Sequence, residues 1–500
     1  MNNTDSFTRR DIISLFFLLA AVIAIYYPVF YAEYLFTDEA TQIWLRKQGV
    51  NLASIPQGRY ITYRIFKALF SYVYTIREIK YARIISMAAW MICLPVWYYI
   101  IRKIVLENKL PFLLVSLSCL YLVCMPSFAI YIGWAACLQM SIAYTAGLVS
   151  GYILHTAVKY ENGKIKLLPF SMIVSCIFGI VSLFTYQNGF GCFFIPFFIQ
   201  FIAFGKMTKK IITGIGWSFL IYAVYYLLFK YSLHLYGTPA SERSSFAASP
   251  LNKLYFLFTK PLAASFHFTW LFNDKSMPGK IVYLFIFSIW FALNLTRRKA
   301  GQFGEVFFYF AGLALFFMLV YLPSLVVAEN YPSNRTLFAL NCVVFILVAE
   351  TILFFAVKYK FQYGASVVIV LALLINAWYN FHDQFVYPLV KEYNIIKKKL
   401  LQQYTPGVDT VYFIRPGEDA FNKKYGIVTS RDEFGLPSSS KSWTPEPLIK
   451  QLVFEKTGNR EIAERLVVKS WENSAAFIKS GASVSKTTLL IDAGQLLETP

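Results

Sequence analysis

The chain has 500 residues, of which 57% are hydrophobic and only 15% are charged, and its mean hydropathy is +0.51. Apolar runs of about 20 residues recur along it, which excludes a soluble globular protein and indicates a polytopic membrane protein. The formal charge of +20 does not indicate nucleic-acid binding, because most Lys and Arg residues form short clusters between apolar runs, where they orient membrane helices.

The first apolar run, residues 12–30, follows Arg9, Arg10 and Asp11 and has no small-residue cleavage site. We therefore predict a retained membrane helix and not a signal peptide. With ten further runs, the sequence predicts an α-helical polytopic protein of about 11 transmembrane helices. The further runs are residues 84–101, 111–128, 134–157, 167–184, 190–204, 211–229, 281–296, 305–325, 336–357 and 365–387.

Residues 59–76 are apolar but contain Arg59, Arg64 and Lys67, which are costly in a lipid-exposed helix. We interpret this segment as an amphipathic helix on the membrane surface. Residues 31–83 then form one outer loop, and the basic clusters of the short loops all fall on the cytoplasmic side, as the positive-inside rule requires. Counting 59–76 as a span would place every one of these basic clusters on the outer side of the membrane.

After residue 387 the composition becomes that of an ordinary soluble domain. The segments VDTVYFIRPG and TTLLID have strand patterns, and EPLIKQLVFEKTG has a helix pattern. We predict a membrane domain over 1–387 and a small extracytoplasmic α/β domain over 388–500. Nucleotide-binding Gly-rich loops and the zinc motifs HExxH and CxxC do not occur in the sequence, so we predict no cofactor and no metal.

Asp38 and Glu39 are adjacent carboxylates at the start of a predicted helix, DEATQIWLRKQG. A helix cap and a catalytic carboxylate both fit this position. The same outer loop contains Arg59, Arg64 and Lys67, an excess of cations that the positive-inside rule does not explain. An anionic ligand such as a phosphate at headgroup depth would account for them, and so would contact with bulk anionic phospholipid.

Two further outer segments carry candidate ligand-binding groups. Tyr186, Gln187 and Asn188 in the turn TYQNGFG could bind sugar hydroxyls, although a simple Asn-Gly turn is the more economical interpretation. Arg335 opens a late span in PSNRTLF, where either a phosphate contact or interfacial anchoring would explain an arginine.

These residues together resemble the GT-C class of membrane glycosyltransferases, and more narrowly the glucosyltransferases that modify bacterial O-antigen in serotype conversion. The family commonly has two aspartates where this chain has Asp38 and Glu39, and Trp where it has Tyr60. The resemblance rests on the acidic pair after the first span, QGRY at 57–60, Tyr186-Gln187, Arg335, and RDEFGLPSS at 431–439.

The resemblance implies a GT-C-like fold in the inner membrane and inverting transfer of a hexose, glucose being expected, from a polyprenyl-phosphate carrier to a cell-surface glycan such as lipopolysaccharide. Asp38 would be the general base, and Glu39 would orient the acceptor or substitute for Asp38. Tyr186, Gln187 and Asn188 would contact sugar. The donor phosphate would be bound by Arg59, Arg64, Lys67 and Arg335, with no metal.

Two other function classes remain open at this stage. A lipid-linked glycan flippase or secondary transporter also needs many spans and basic residues, but it should place ionisable residues near the bilayer midplane. A polysaccharide polymerase or ligase would share the carrier chemistry and usually has a larger outer loop with several arginines.

Overall fold

A computed structural model of the chain describes residues 7–45, 54–161, 164–266, 277–297, 303–427 and 433–498. The described part is mostly helical. The elements up to residue 204 are α1 (Arg9–Tyr26), α2 (Glu39–Trp44), α3 (Tyr60–Phe70), α4 (Ile79–Glu107), α5 (Leu113–Cys124), α6 (Pro126–Gly133), α7 (Met140–Ala157), the antiparallel hairpin β1 (Val158–Glu161) and β2 (Lys164–Leu167), α8 (Pro169–Thr185) and α9 (Ile195–Phe204).

The second part of the chain continues the helical bundle and ends in a small sheet. Its helices up to residue 403 are α10 (Lys209–Tyr236), α11 (Pro250–Thr259), α12 (Pro261–Phe266), α13 (Met277–Arg297), α14 (Phe303–Val320), α15 (Leu322–Val326), α16 (Asn334–Lys358), α17 (Gln362–Tyr379) and α18 (Tyr387–Gln403). The remaining elements are β3 (Thr410–Ile414), α19 (Glu418–Tyr425), α20 (Pro445–Thr457), α21 (Arg460–Arg465), β4 (Val467–Trp471), α22 (Ser474–Lys479), β5 (Thr488–Asp492) and α23 (Ala493–Glu498).

The helices have the length and composition of an α-helical membrane protein. Within the described residues, seven helices are long and apolar enough to cross a bilayer, and α5 with α6 forms an eighth candidate that bends by 47°. The apolar helix α8 and the apolar parts of α13 and α14 are shorter. Each predicted apolar run falls on one of these helical segments, so the prediction of a helical membrane protein is confirmed.

The segment 59–76 is not among the candidate spans. Its helix, α3, has 11 residues, which corresponds to about 16 Å at 1.5 Å per residue, against about 30 Å for the hydrocarbon core of a bilayer. The helix buries Tyr63 and Phe66 and exposes Arg64 and Lys67. It is therefore amphipathic, as predicted, but shorter than predicted.

Aromatic side chains form the part of the core that supports the start of α16. The rings of Trp90 and Tyr131 are stacked at 5.9 Å, and the rings of Tyr144 and Phe338 lie 4.1 Å apart. These contacts join α4, α6, α7 and α16. The hydroxyls of Tyr131 and Tyr144 both donate to the backbone carbonyl of Arg335, so the core fixes the position of that residue.

A buried ion pair fixes the segment that follows α1. Glu39 and Arg83 are almost fully buried, and their side chains meet at 2.6 Å. The Glu39 carboxylate also accepts from the backbone N–H groups of Phe36 at 2.8 Å and Ala135 at 2.7 Å. Because a charge buried without partners is very costly, this set of contacts holds residues 36–39 against α4 and the loop before α7.

The C-terminal residues contain a three-stranded parallel sheet with strand order β4–β3–β5. The strands predicted in VDTVYFIRPG and TTLLID are confirmed as β3 and β5, and EPLIKQLVFEKTG contains α20. The predicted boundary at residue 388 falls inside a continuous helical run, because α17 leads through a π-helix at Asn380–Val386 directly into α18.

This C-terminal region packs against the loops that connect the first spans. Gln451 of α20 donates to the backbone carbonyl of Tyr74 at 2.9 Å, and Glu455 accepts from the backbone N–H of Ile76 at 2.7 Å. Arg460 donates to the carbonyl of Trp44 at 2.8 Å and lies over its ring. The sheet region is thereby held beside α2 and the start of α4.

Replacing Arg83 with Met should destabilise the protein strongly, because Glu39 then remains buried without its cation. The expected loss is about 3–5 kcal/mol in the free energy of unfolding. It should appear as a lower midpoint of thermal unfolding for the purified protein in detergent. Arg77→Met is the matched control, since Arg77 is 74% exposed and meets Glu33 only at 3.6 Å. Equal midpoints for the two variants would contradict the role of the pair.

Candidate functional site

A cavity of about 550 Å³ lies where α10, α15 and α16 meet the turn before α3 and the turn after α8. It combines three arginines with an aromatic wall from α10. Its lining includes Gln57, Arg59, Tyr186, Gln187, Asn188, Phe219, Tyr222, Tyr225, Tyr226, Phe229, Arg243, Phe246, Ser324, Glu329, Tyr331, Ser333, Arg335 and Thr336.

The Gln-Gly-Arg turn before α3 turns Arg59 toward this cavity. Gly58 has φ +73°, a conformation that a residue with a Cβ adopts only at a cost. A Cβ at this position would also lie 2.2 Å from the Tyr225 hydroxyl oxygen. The Tyr225 hydroxyl donates to the Gly58 carbonyl at 3.2 Å, so glycine permits close contact between this turn and α10.

Arg59 is held by two groups from the turn after α8. Its Nε donates to Oε1 of Gln187 at 3.3 Å, and its guanidinium lies over the Tyr186 ring at 4.6 Å. Nε2 of Gln187 in turn donates to the carbonyl of Gln57 at 2.6 Å and to the Tyr225 hydroxyl at 2.9 Å. A network of this kind fixes the side chain of an arginine so that its other N–H groups can bind an anion.

The turn TYQNGFG is more than a simple bend. Tyr186 is extended, and a 3₁₀ helix follows at Gln187–Phe194. Asn188 accepts a hydrogen bond from the Ser324 hydroxyl at 3.0 Å, which ties this helix to α15. Gly189 approaches the backbone of α7, where a Cβ would lie 2.8 Å from the Ala143 carbonyl carbon. The structure therefore brings Tyr186, Gln187 and Asn188 together on the cavity wall.

Arg335 enters the cavity from the first turn of α16. Its Nε donates to Oε1 of Glu433 at 2.8 Å, and its guanidinium lies 4.6 Å from the centre of the Trp134 ring. Glu433 is buried and also accepts from Nδ2 of Asn334 at 3.2 Å. Glu433 belongs to the tail motif RDEFGLPSS, of which Arg431 and Asp432 lie outside the described residues.

Asp38 lies beside the arginines and does not cap α2. Its side chain makes no capping hydrogen bond to that helix, and its Oδ1 accepts from the indole N–H of Trp443 at 2.9 Å. Arg335 and Arg243 are close enough to interact with it electrostatically. Burial raises the pKa of the Asp38 carboxyl above its ordinary value, and Arg335, the Trp443 N–H and Arg243 partly offset this effect.

The segment from Glu433 to Thr444 holds the loop that carries Asp38. The hydroxyl of Ser438 accepts from the backbone N–H of Thr37 at 2.8 Å, and the hydroxyl of Thr444 donates to the Thr37 carbonyl at 3.4 Å. Thr37 itself has φ +38°, a conformation that non-glycine residues rarely adopt. The C-terminal region thus fixes the loop through contacts on both sides of Trp443.

Four of the predicted site residues, Asp38, Glu39, Arg64 and Lys67, do not line the cavity, and Asp38 lies near it through its electrostatic interaction with Arg335 and Arg243. Glu39 is fully buried and bound by Arg83 and two backbone N–H groups, so its carboxylate has a structural role. Arg64 and Lys67 are exposed on the face of α3 that points away from the cavity lining. Of the four basic residues predicted to bind phosphate, Arg59 and Arg335 line the cavity.

The sequence reasoning did not select Arg243, Tyr225, Glu433 or Trp443. Arg243 could have been noticed, because it is one more cation in a loop predicted to lie outside, as Arg59 is. Tyr225 lies in an apolar helix and carries no pattern that separates it from other aromatic residues. Trp443 is 405 positions from Asp38, and no local signal joins the two.

No protein-family model matches this chain, and a search of curated proteins found no significant match.

Replacing Gly58 with Ala should disrupt the turn that positions Arg59. The expected cost includes about 1–2 kcal/mol for an L-residue in the left-handed region, and more for the clash with the Tyr225 hydroxyl. Gly237→Ala is the matched control, because Gly237 has φ +60° but no described atom within 4 Å of its would-be Cβ. We expect a larger drop in the thermal midpoint for Gly58→Ala. A drop no larger than that of the control would show that the contact with Tyr225 is not tight.

Proposed function

We propose that this protein is an inverting glycosyltransferase that moves a hexose from a polyprenyl-phosphate carrier to a cell-surface glycan on the outer side of the cytoplasmic membrane. The observation that carries the proposal is the position of Asp38. It is a half-buried carboxylate beside Arg243 and Arg335, which line a cavity that also contains Arg59. A candidate base therefore adjoins a site that is suited to an anionic leaving group.

The donor would occupy the cavity with its phosphate among the arginines. Guanidinium groups bind phosphate oxygens through paired N–H donors, and Arg59 is already oriented by Gln187 and Tyr186. Aromatic side chains of α10, among them Phe219, Tyr222 and Phe229, line the opposite wall. Because α10 is a candidate membrane span, the polyprenyl chain attached to the phosphate would contact apolar groups of this helix.

The proposed reaction is a single displacement. The acceptor hydroxyl oxygen attacks the anomeric carbon, the bond from that carbon to the phosphate oxygen breaks, and the Asp38 carboxylate takes the hydroxyl proton. The leaving group is the polyprenyl phosphate, whose additional negative charge Arg59, Arg243 and Arg335 would stabilise. Attack on the face opposite the leaving group inverts the anomeric centre. The hydroxyl and amide groups of Tyr186, Gln187 and Asn188 would contact the hexose.

Cells that express the protein should carry a surface glycan with one additional hexose per modified repeat, measured by mass spectrometry against cells without the gene. Asp38→Asn should remove this increment and reduce transfer in vitro by at least about a hundredfold, because the amide cannot take a proton. The variant should be membrane-inserted at the wild-type level. Full activity of Asp38→Asn would exclude Asp38 as the base. A change in glycan quantity without a change in mass would favour a flippase or other transporter.

Arg59→Ala should impair use of the donor and leave use of the acceptor unchanged. Loss of a charge-assisted contact to phosphate corresponds to about a tenfold or larger rise in the donor KM. Arg64→Ala is the matched control, since it removes an exposed arginine of α3 that lies outside the cavity lining, five residues after Arg59. Equal donor KM values for the two variants would indicate that this helix contacts lipid headgroups and not the donor.

A further inference from the structure

Trp443 is a large apolar side chain that the structure leaves exposed next to a carboxylate. Its side chain is 51% exposed, although the next two residues, Thr444 and Pro445, are buried. Its indole N–H lies 2.9 Å from Oδ1 of Asp38. One edge of the ring system is therefore fixed by a hydrogen bond, while much of the ring remains accessible.

The position of Trp443 is determined by its neighbours along the chain. Ser438 and Thr444 bind the backbone of Thr37, which directly precedes Asp38. Glu433 binds Arg335 on the cavity side. These contacts hold the indole beside the carboxylate of Asp38, which interacts electrostatically with the cavity residues Arg335 and Arg243.

We propose that Trp443 forms the acceptor subsite, where the exposed indole face binds the apolar face of a sugar ring of the acceptor glycan while its N–H positions the carboxylate of Asp38. This inference rests on the proposed function. It adds the chemical class of the second ligand, a pyranose ring in a surface polysaccharide, and the residue that recognises it.

The chemistry of both partners fits this arrangement. A pyranose has polar hydroxyls at its edge and C–H groups on its faces, and an indole offers a flat apolar surface with one polar atom at its edge. The indole N–H donates a hydrogen bond to Oδ1 of Asp38. A carboxylate has a second oxygen, Oδ2, which can take the proton of an acceptor hydroxyl as that hydroxyl attacks the donor. The subsite thus brings a sugar and the base together without using the donor cavity.

The hydrogen bond from Trp443 also has an electrostatic effect on Asp38. The N–H stabilises the charged form, as do Arg335 and Arg243, whereas burial favours the neutral form. The thiol of Cys137 and the carboxylates of Glu39 and Glu433 lie in the same neighbourhood. Removing the N–H should raise the pKa of the Asp38 carboxyl. Because the base must be deprotonated, the variant enzyme would then lose activity at a higher pH than the wild type as the pH is lowered.

The test compares Trp443→Ala, Trp443→Phe and Trp471→Phe in the full-length protein in lipid nanodiscs. The donor probe is polyprenyl phosphoglucose, and the acceptor probe is the surface polysaccharide from cells that lack the gene. Initial rates give separate KM values for donor and acceptor and the pH profile of kcat/KM. Trp471 is the control because it is another indole of the C-terminal region, packed against Tyr412 and Phe477.

Trp443→Ala should raise the acceptor KM about tenfold, equivalent to ~1.4 kcal/mol, and leave the donor KM unchanged. Trp443→Phe keeps an aromatic face but no N–H, so its acceptor KM should stay near the wild-type value while the acid limb of its pH profile moves to higher pH. Trp471→Phe should change neither quantity.

Two outcomes would overturn the inference, and they can be told apart. If the wild type transfers glucose but Trp443→Ala keeps the wild-type acceptor KM, the subsite is wrong and the proposed function stands. If the wild type neither transfers glucose nor adds a hexose to surface glycans in cells, the proposed function fails and the subsite fails with it. A lower thermal midpoint with unchanged KM values would show that Trp443 is only structural.

Discussion

The buried ion pair of Glu39 and Arg83 is the constraint on which the candidate site depends. Both side chains are almost fully buried, so neither charge is tolerable without the other, and the carboxylate also binds two backbone N–H groups. The pair fixes one end of the loop that presents Asp38. The adjacent carboxylates therefore differ in role because of their surroundings. Glu39 is bound by Arg83 and the two backbone N–H groups and holds the chain, whereas Asp38 is half-buried near Arg335 and Arg243, which line the cavity.

The C-terminal region contributes side chains that contact the residues of the candidate site. Glu433 binds Arg335, Ser438 binds Thr37, and Trp443 binds Asp38. Each contact joins the last quarter of the chain either to the loop before α2 or to the first turn of α16. An arginine such as Arg335 keeps its charge while Glu433 sets its orientation, so an incoming anion meets donors that are already ordered. This ordering lowers the entropic cost of binding.

Hydropathy was enough to predict the helical membrane fold, because a span of about 20 apolar residues is dictated by bilayer thickness. It also identified Asp38, Arg59, Arg335 and the Tyr186–Asn188 turn, since polar residues between apolar runs are few. The sequence could not separate Arg59 from Arg64, because only the packing of the turn before α3 brings Arg59 to the cavity and leaves Arg64 on the exposed face of that helix. It gave no role to Glu433, although this residue lies in the motif RDEFGLPSS, and it could not find Trp443, since the contacts of both depend on how the C-terminal region packs against distant parts of the chain.

The continuous helical run from Gln362 to Gln403 has a mechanical consequence for this arrangement. Its 42 residues span about 60 Å at 1.5 Å per residue, roughly twice the thickness of the hydrocarbon core. It is therefore longer than a crossing of the hydrocarbon core requires, and its last part, α18, connects the apolar helix α17 to the β3 sheet. Adding or deleting a residue in α18 would turn the residues after it by about 100° relative to α17, which is incompatible with the contacts of α20 to Tyr74 and Ile76. The length of this run thus sets the distance between the apolar residues of α17 and the β3 sheet.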